Sequence, residues 1–142
     1  MLRDTLNNTK TTSAFNYGSR TASANGTNII DTAGFSSLLF TIDVAGVTTA
    51  DSSNYFTFTI QAGDASDLSD GATVTAATGL LGSNLVINNT NLANTRGLMG
   101  YTGGKRYARL VATATGTTSA AFSANAIQQH ATVAPVGDDP LA

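Results

Sequence analysis

The residues that could carry out chemistry are few in this sequence. His130 is the only histidine, and the chain contains no cysteine and no glutamate. These counts exclude a disulfide framework, a thiolate metal site and a metal site built on several histidines. A Ser–His–Asp triad could form only around His130, and no Gly-x-Ser-x-Gly segment is present to expose a nucleophilic serine. The sequence therefore predicts a protein that is not an enzyme, with no cofactor and with His130 at the surface or in an interface.

One acidic cluster could in principle bind a cation. Asp64, Asp67 and Asp70 recur every third residue and are followed by Gly71. Calcium prefers several carboxylates that converge from one loop, but in an EF-hand loop they recur every second residue and a glutamate closes the site. Here position 75 is a threonine. The pattern favours a solvated Asp-Gly hairpin turn, and calcium binding remains the alternative.

The segment from Gly100 to Tyr107 is rich in glycine and carries a lysine, as phosphate-binding loops do. It lacks the Gly-x-x-x-x-Gly-Lys-Ser/Thr spacing and precedes a strand pattern instead of a helix, so a tight turn explains it better. Lys105, Arg106 and Arg109 form the only basic cluster. We expect these three side chains to act in partner recognition or ion pairing; the alternative is that they protect a strand edge from aggregation.

Charge is scarce along the whole chain. Charged residues make up 11% and the net charge is −2, which argues against binding of nucleic acid. No stretch is apolar enough for a membrane helix, and the polar N-terminus predicts no secretion signal. Threonine is the commonest residue, with 23 of 142 positions. A surface of threonine, serine, asparagine and glycine repels its own copies weakly and tolerates dense packing.

The apolar pattern predicts an all-β protein. Apolar and polar residues alternate with period two from Ser37 to Val44 and from Tyr55 to Gln61, which is typical of half-buried strands. About eight strands joined by Gly-, Ser- and Asn-rich turns indicate a single-domain jelly roll or β-sandwich. The other strands are expected near 28–31, 72–76, 85–88, 98–101, 105–115 and 121–129. The predicted core side chains are Leu38, Phe40, Ile42, Phe56, Phe58, Ile60 and Val111.

Both ends of the chain are expected to lie outside the sandwich. We predict an N-terminal arm over residues 1–20, the β-sandwich domain over 21–130, and an extended C-terminal tail over 131–142 that contains two prolines. Spaced apolar side chains in these arms could dock on another chain. These candidate contacts are Leu2, Leu6, Phe15, Tyr17, Val133 and Pro135, in addition to the basic cluster.

Several short motifs resemble the jelly-roll capsid cement (decoration) proteins of tailed bacteriophages. The chain opens Met1-Leu2-Arg3-Asp4 with Asn7 shortly after, and Asn28-Ile29-Ile30-Asp31 resembles the family's first strand. Gly100 to Arg109 resembles a Gly-Tyr-x-Gly-x-Lys-Arg-Tyr-x-Arg motif that precedes a strand in related virion proteins. A Thr/Ala-rich strand pair and a proline-containing tail follow.

The resemblance implies a structural protein of the virion, made in the host cytoplasm, that binds the outer capsid surface. Its partners would be the major capsid protein and copies of itself, with a homotrimer favoured and a dimer possible. Two alternatives stay open at this point. One is another virion component, such as a neck, tail or head-fibre protein. The other is a carbohydrate-binding β-sandwich, although the absence of tryptophan weakens the case for sugar stacking.

Overall fold

A computed structural model describes residues 5–133 of the chain, which form two antiparallel β-sheets. The strands are β1 (Lys10–Arg20), β2 (Ala24–Asn25), β3 (Ile30–Asp31), β4 (Phe35–Thr49), β5 (Tyr55–Gly63), β6 (Ala72–Thr73), β7 (Leu80–Leu81), β8 (Leu85–Ile87), β9 (Thr95–Tyr101), β10 (Tyr107–Thr115) and β11 (Ser119–Ala131). Three short 3₁₀ turns lie at Leu6–Asn8, Ala76–Thr78 and Thr90–Leu92. The predicted all-β fold is confirmed.

The order of the strands is that of a jelly roll. One sheet has the order β1-β11-β4-β9-β7, and the other has β2-β10-β5-β6. Strand β3 lies beside β10 on the same side as β2, and β8 lies beside β5 on the same side as β6. When β2 and β3 are counted as one interrupted strand, β6 and β8 as another, and the short edge strand β7 is left out, eight strands remain. Numbered 1 to 8 along the chain, they have the order 1-8-3-6 in one sheet and 2-7-4-5 in the other, as in a double Greek key.

The core lies between the sheets, where the alternating side chains of both sheets meet. The six residues predicted on β4 and β5 are all buried, the most exposed being Leu38 at 4%. The prediction for Val111 is wrong, because Val111 is half-buried on the outer face and Leu110 is buried. The register explains the difference, since Leu110 lies opposite the inward Ile60 and Val111 opposite the outward Thr59.

The predicted N-terminal arm is wrong for residues 10–20. These residues form β1, which pairs with β11 from Lys10 opposite Gln128 to Arg20 opposite Ala120. The register shifts between Ser13 and Phe15 and again after Phe15. Such bulges break the period-two pattern, so the strand did not show in the sequence.

Close contact between the sheets is visible at Gly26. Its N–H donates to the carbonyl of Leu110 on β10, and the N–H of Thr27 donates to the carbonyl of Ala14 on β1, both at 2.7 Å. A Cβ at Gly26 would lie 2.7 Å and 2.9 Å from those two carbonyl oxygens. A glycine is therefore required where the segment between β2 and β3 packs against both β10 of its own sheet and β1 of the other sheet.

Candidate interaction site

The glycine-rich segment forms the turn between β9 and β10, as the sequence predicted. The hydroxyl of buried Tyr101 accepts a hydrogen bond from the N–H of Lys105 at 3.0 Å and donates to the Lys105 carbonyl at 3.3 Å. Gly103 lies against the tyrosine ring, where a Cβ would be 2.4 Å from a ring carbon. The motif therefore shapes a corner and presents Lys105 and Arg106 at its tip.

Arg106 forms a two-point ion pair with Asp31 at the end of β3. Its Nε and Nη2 atoms donate to the two carboxylate oxygens at 3.0 Å and 2.9 Å. This hydrogen bonding lowers the pKa of Asp31 and raises the pKa of Arg106. The guanidinium also lies 5.2 Å from the ring centroid of Tyr107. The pair ties the beginning of β10 to β3, and both side chains remain partly exposed.

Lys105 forms an ion pair with Asp64 in the loop between β5 and β6. Its pKa is raised, first by the hydrogen bond to Asp64 and then by the charge of that carboxylate. Both side chains are more than half exposed, so the pair contributes little to stability. Lys105 and Arg106 are therefore pairing residues within the chain.

The acidic loop binds its own backbone. The carboxylate of Asp70 accepts the N–H groups of Asp64 and Ala65 at 2.8 Å and 3.0 Å, and Asp67 accepts the N–H of Ser69 at 2.9 Å. These backbone hydrogen bonds lower the pKa of both Asp67 and Asp70. Across residues 5–133, no group of three or more acidic, histidine or cysteine side chains is placed to hold a metal. The loop joins two antiparallel strands, β5 and β6, so the hairpin interpretation is confirmed.

Arg109 differs from the other two basic residues. It lies on the outer face of β10, and its Nη2 donates to Oε1 of Gln61 at 2.7 Å. Its Nε is buried without a hydrogen-bond partner among the described residues. Strand β10 lies inside its sheet, between β5 and the β2–β3 pair. The alternative that the basic cluster protects a strand edge is therefore wrong.

Two strongly exposed apolar side chains lie at the same end of the sandwich as this corner. Leu6, in the 3₁₀ turn before β1, is 75% exposed, and Val133, just after β11, is 79% exposed. The side chain of Gln128, near the end of β11, donates to the carbonyl of Asp31 at 2.8 Å, which places the β11 terminus beside the Arg106 ion pair. We call this surface the motif end.

The motif end is defined by the following residues: Leu6, Asp31, Asp64, Lys105, Arg106 and Val133. An open depression of about 570 Å³ lies at the same corner, lined by residues 76–79 and 102–105. Within this lining Gly79, which has φ of +112°, packs closely against Gly103. The site is a shallow surface of neutralised charges, backbone groups and exposed aliphatic side chains, which suits macromolecular contact.

The other predicted contact residues are dispersed. Phe15 is 1% exposed and packs in the core, so its proposed role as a docking residue is wrong. Tyr17 is 71% exposed but lies near the opposite end of β1. Leu2 and Pro135 lie outside the described residues. His130 is exposed near the end of β11.

A second surface was missed by the sequence reasoning. Leu39, Leu81, Leu98 and Ile127 all lie on the outer face of the five-stranded sheet, and Leu81 and Leu98 are 55% and 58% exposed. The alternation in β4 already placed Leu39 opposite the buried side chains. The neighbours on β7, β9 and β11 became visible only through the strand register. We call this surface the sheet face.

No helix within residues 5–133 is long and apolar enough to cross a membrane.

No protein-family model matches the sequence, and no curated protein matches it. Among solved structures, the chain is similar to the SPBc2 prophage-derived protein YomS, with 12% identity and a TM-score of 0.48 over 92% of this chain and 100% of that one. It is also similar to the VP2 subviral particle of infectious bursal disease virus, with 16% identity and a TM-score of 0.29 over 93% of this chain and 46% of that one. Similarity of this degree does not assign a function.

Proposed function

We propose that this protein is a non-enzymatic structural component of a virion, which decorates the outer surface of a tailed-phage capsid and bridges major capsid subunits. The observation that carries the proposal is the motif end. Exposed Leu6 and Val133 lie at the same end of the sandwich as the basic side chains that are already neutralised by Asp31 and Asp64. The jelly roll and the motifs that resemble cement proteins support the same function.

The physical chemistry of the motif end suits a protein partner better than a small molecule. Protein interfaces bury apolar side chains at their centre and keep a polar rim. Burial of Leu6 and Val133 on a capsid subunit would remove two large apolar side chains from water. The ion pairs at the rim need no charged partner, because each cation already has its carboxylate. The depression near Gly103 offers room for a side chain of the partner.

Decoration of this kind acts by mass action. A protein that binds only the assembled shell stabilises that shell by its binding free energy. Contacts to two capsid subunits at once give each copy the benefit of multivalent binding. A modest affinity at each contact is therefore sufficient when many copies cover the surface.

The proposal is tested by sedimentation of the protein with shells of the encoding phage that were purified without it. We expect saturable binding at many sites per shell and a higher temperature of shell disruption. The double variant Leu6→Asp, Val133→Asp should bind at least about tenfold more weakly, as expected for buried unpaired charges. The double variant Thr113→Asp, Thr115→Asp is the matched control, since it adds the same two charges at exposed positions on the other end of β10.

Three outcomes would contradict this function. Binding that is unchanged by the double variant would remove the motif end from the contact. A few copies at a single vertex would indicate a neck, tail or fibre component. Binding to glycans in the absence of any shell binding would indicate a carbohydrate-binding module.

A further inference from the structure

The sheet face carries a row of uncharged residues across all five strands of its sheet, and three of them are aliphatic. Leu81 on β7 lies opposite Gly100 on β9, which lies opposite Leu39 on β4. Leu39 in turn lies opposite Ile127 on β11, and Ile127 lies opposite Thr11 on β1. Leu39 and Ile127 are therefore direct lateral neighbours, about 5 Å apart, and Leu81 lies two strands from Leu39, about 10 Å away across Gly100.

The rows on either side of this row are mostly polar. On one side Ser37 lies opposite Gln129. On the other side Leu98 lies opposite Thr41, and beyond Thr41 lie Asn125 and Ser13. The next row on that side contains Arg96 opposite Asp43, joined by an ion pair that leaves the guanidinium side chain 67% exposed.

An apolar centre within a neutral polar border is the arrangement of a protein interface. On this face the two charges cancel. A second copy therefore meets no net repulsion, and each copy offers both an anion and a cation to its mate.

The size of the sheet face also fits a second copy. The four long strands β1, β11, β4 and β9 span about 19 Å at a spacing of about 4.8 Å, and β7 adds only two residues at the edge. The stretch from Ser37 to Asp43 spans about 23 Å along β4. The flat area is then about 450 Å² per copy and about 900 Å² for two copies, the size of a weak, reversible interface. Two such faces can stack about 10 Å apart, as the sheets of a sandwich do.

We propose that the sheet face is the interface of a twofold homodimer, in which the five-stranded sheets of two copies pack face to face around Leu39, Leu98 and Ile127. Contact between two identical faces is isologous and closes as a dimer, whereas a trimer needs two different patches on each copy. The proposal uses a different surface from the motif end and does not depend on capsid binding.

The test is sedimentation velocity of the full chain from about 1 to 100 μM. We expect a dimer for the unaltered protein. Leu98→Asp should weaken self-association at least about 30-fold, the effect expected when a residue that carries much of the binding energy is changed. Leu98→Thr keeps strand propensity and should weaken it less. Thr113→Asp on the other sheet should leave the dimer intact.

Thermal melts of each variant establish that it is folded, and Leu81→Asp replaces Leu98→Asp if the latter fails to fold. A monomer at 100 μM would overturn the proposal, because the sheet face would then bind a second copy too weakly to form a dimer. A trimer, or a dimer that Leu98→Asp and Leu81→Asp do not weaken, would overturn it equally, because the interface would lie elsewhere.

Discussion

Phe122 on β11 lies at the centre of the aromatic core, and its replacement by alanine should be more destabilising than that of other buried phenylalanines. Its ring meets those of Phe15, Phe56 and Phe58 edge to face, with centroids 5.6, 5.5 and 4.9 Å apart. The guanidinium of Arg20 lies 4.8 Å from the centroid of Phe122. The side chain is fully buried.

The expected magnitude follows from these contacts. Truncation of a buried phenylalanine to alanine costs about 3–5 kcal/mol. Edge-to-face ring pairs add about 0.5–1.5 kcal/mol each beyond buried area, and the contact with Arg20 adds about 0.5–1 kcal/mol. We therefore expect Phe122→Ala to cost about 5 kcal/mol or more. Phe40 is equally buried but has no ring contact among the described residues, so Phe40→Ala should cost about 3–4 kcal/mol.

Denaturant unfolding followed by circular dichroism measures both free energies. Phe122→Leu and Phe40→Leu retain most of the apolar volume and isolate the contribution of the rings. The first should cost at least about 1 kcal/mol more than the second. Equal losses at the two positions would refute the reasoning that the ring contacts stabilise the core beyond its buried area.

Two further predictions concern β1 and the Arg106 ion pair. Deletion of residues 1–17 should abolish the cooperative thermal melt, because it removes most of β1 and the buried ring of Phe15. A deletion that stops before Lys10 should preserve the melt. Equal melts for the two deletions would show that β1 is dispensable. The pKa of Asp31 lies below its ordinary 3.8 because Arg106 donates to the carboxylate. The ion pair therefore stabilises the folded state above pH 3.8. Its contribution to stability disappears as the pH falls through the lowered pKa. Asp31→Asn should lower stability at pH 7 by at most about 1 kcal/mol and reduce the loss on acidification, and an unchanged pH profile in thermal melts would contradict this assignment.

The fold was predictable where side-chain alternation was undisturbed. Phe56, Phe58 and Ile60 alternate with threonines, so the inward face of β5 could be read directly. Strand β1 could not, because its bulges place Ala14 and Phe15 side by side in the core. In β10, Leu110 lies on one face among alanines and Val111 lies on the other face, so both faces carry a large apolar side chain and only pairing with β5 decides which face is buried.

The site was predictable in its position but not in its partners. The glycine-rich segment was correctly placed as a turn before a strand. The carboxylates that pair with its cations lie far away in the chain, 41 residues for Asp64 and 75 for Asp31. Such long-range contacts depend on topology, and local pattern carries no information about them. The sheet face was missed for the same reason, since its row joins strands distant in sequence.

The two proposed surfaces constrain each other geometrically. The motif end lies at the ends of the strands, and the sheet face runs parallel to them, so one copy can use both at once. A face-to-face dimer has its twofold axis in the plane between the sheets. Only an axis roughly parallel to the strands places both motif ends on the same side, where both can reach one shell. Such an axis over the central strand β4 brings Leu39 close to its own mate and stacks the Leu81 and Leu98 side of one copy on the Ile127 side of the other. Apolar groups then meet apolar groups, so the axis that would let both motif ends reach one shell, as proposed, also buries Leu39, Leu98 and Ile127.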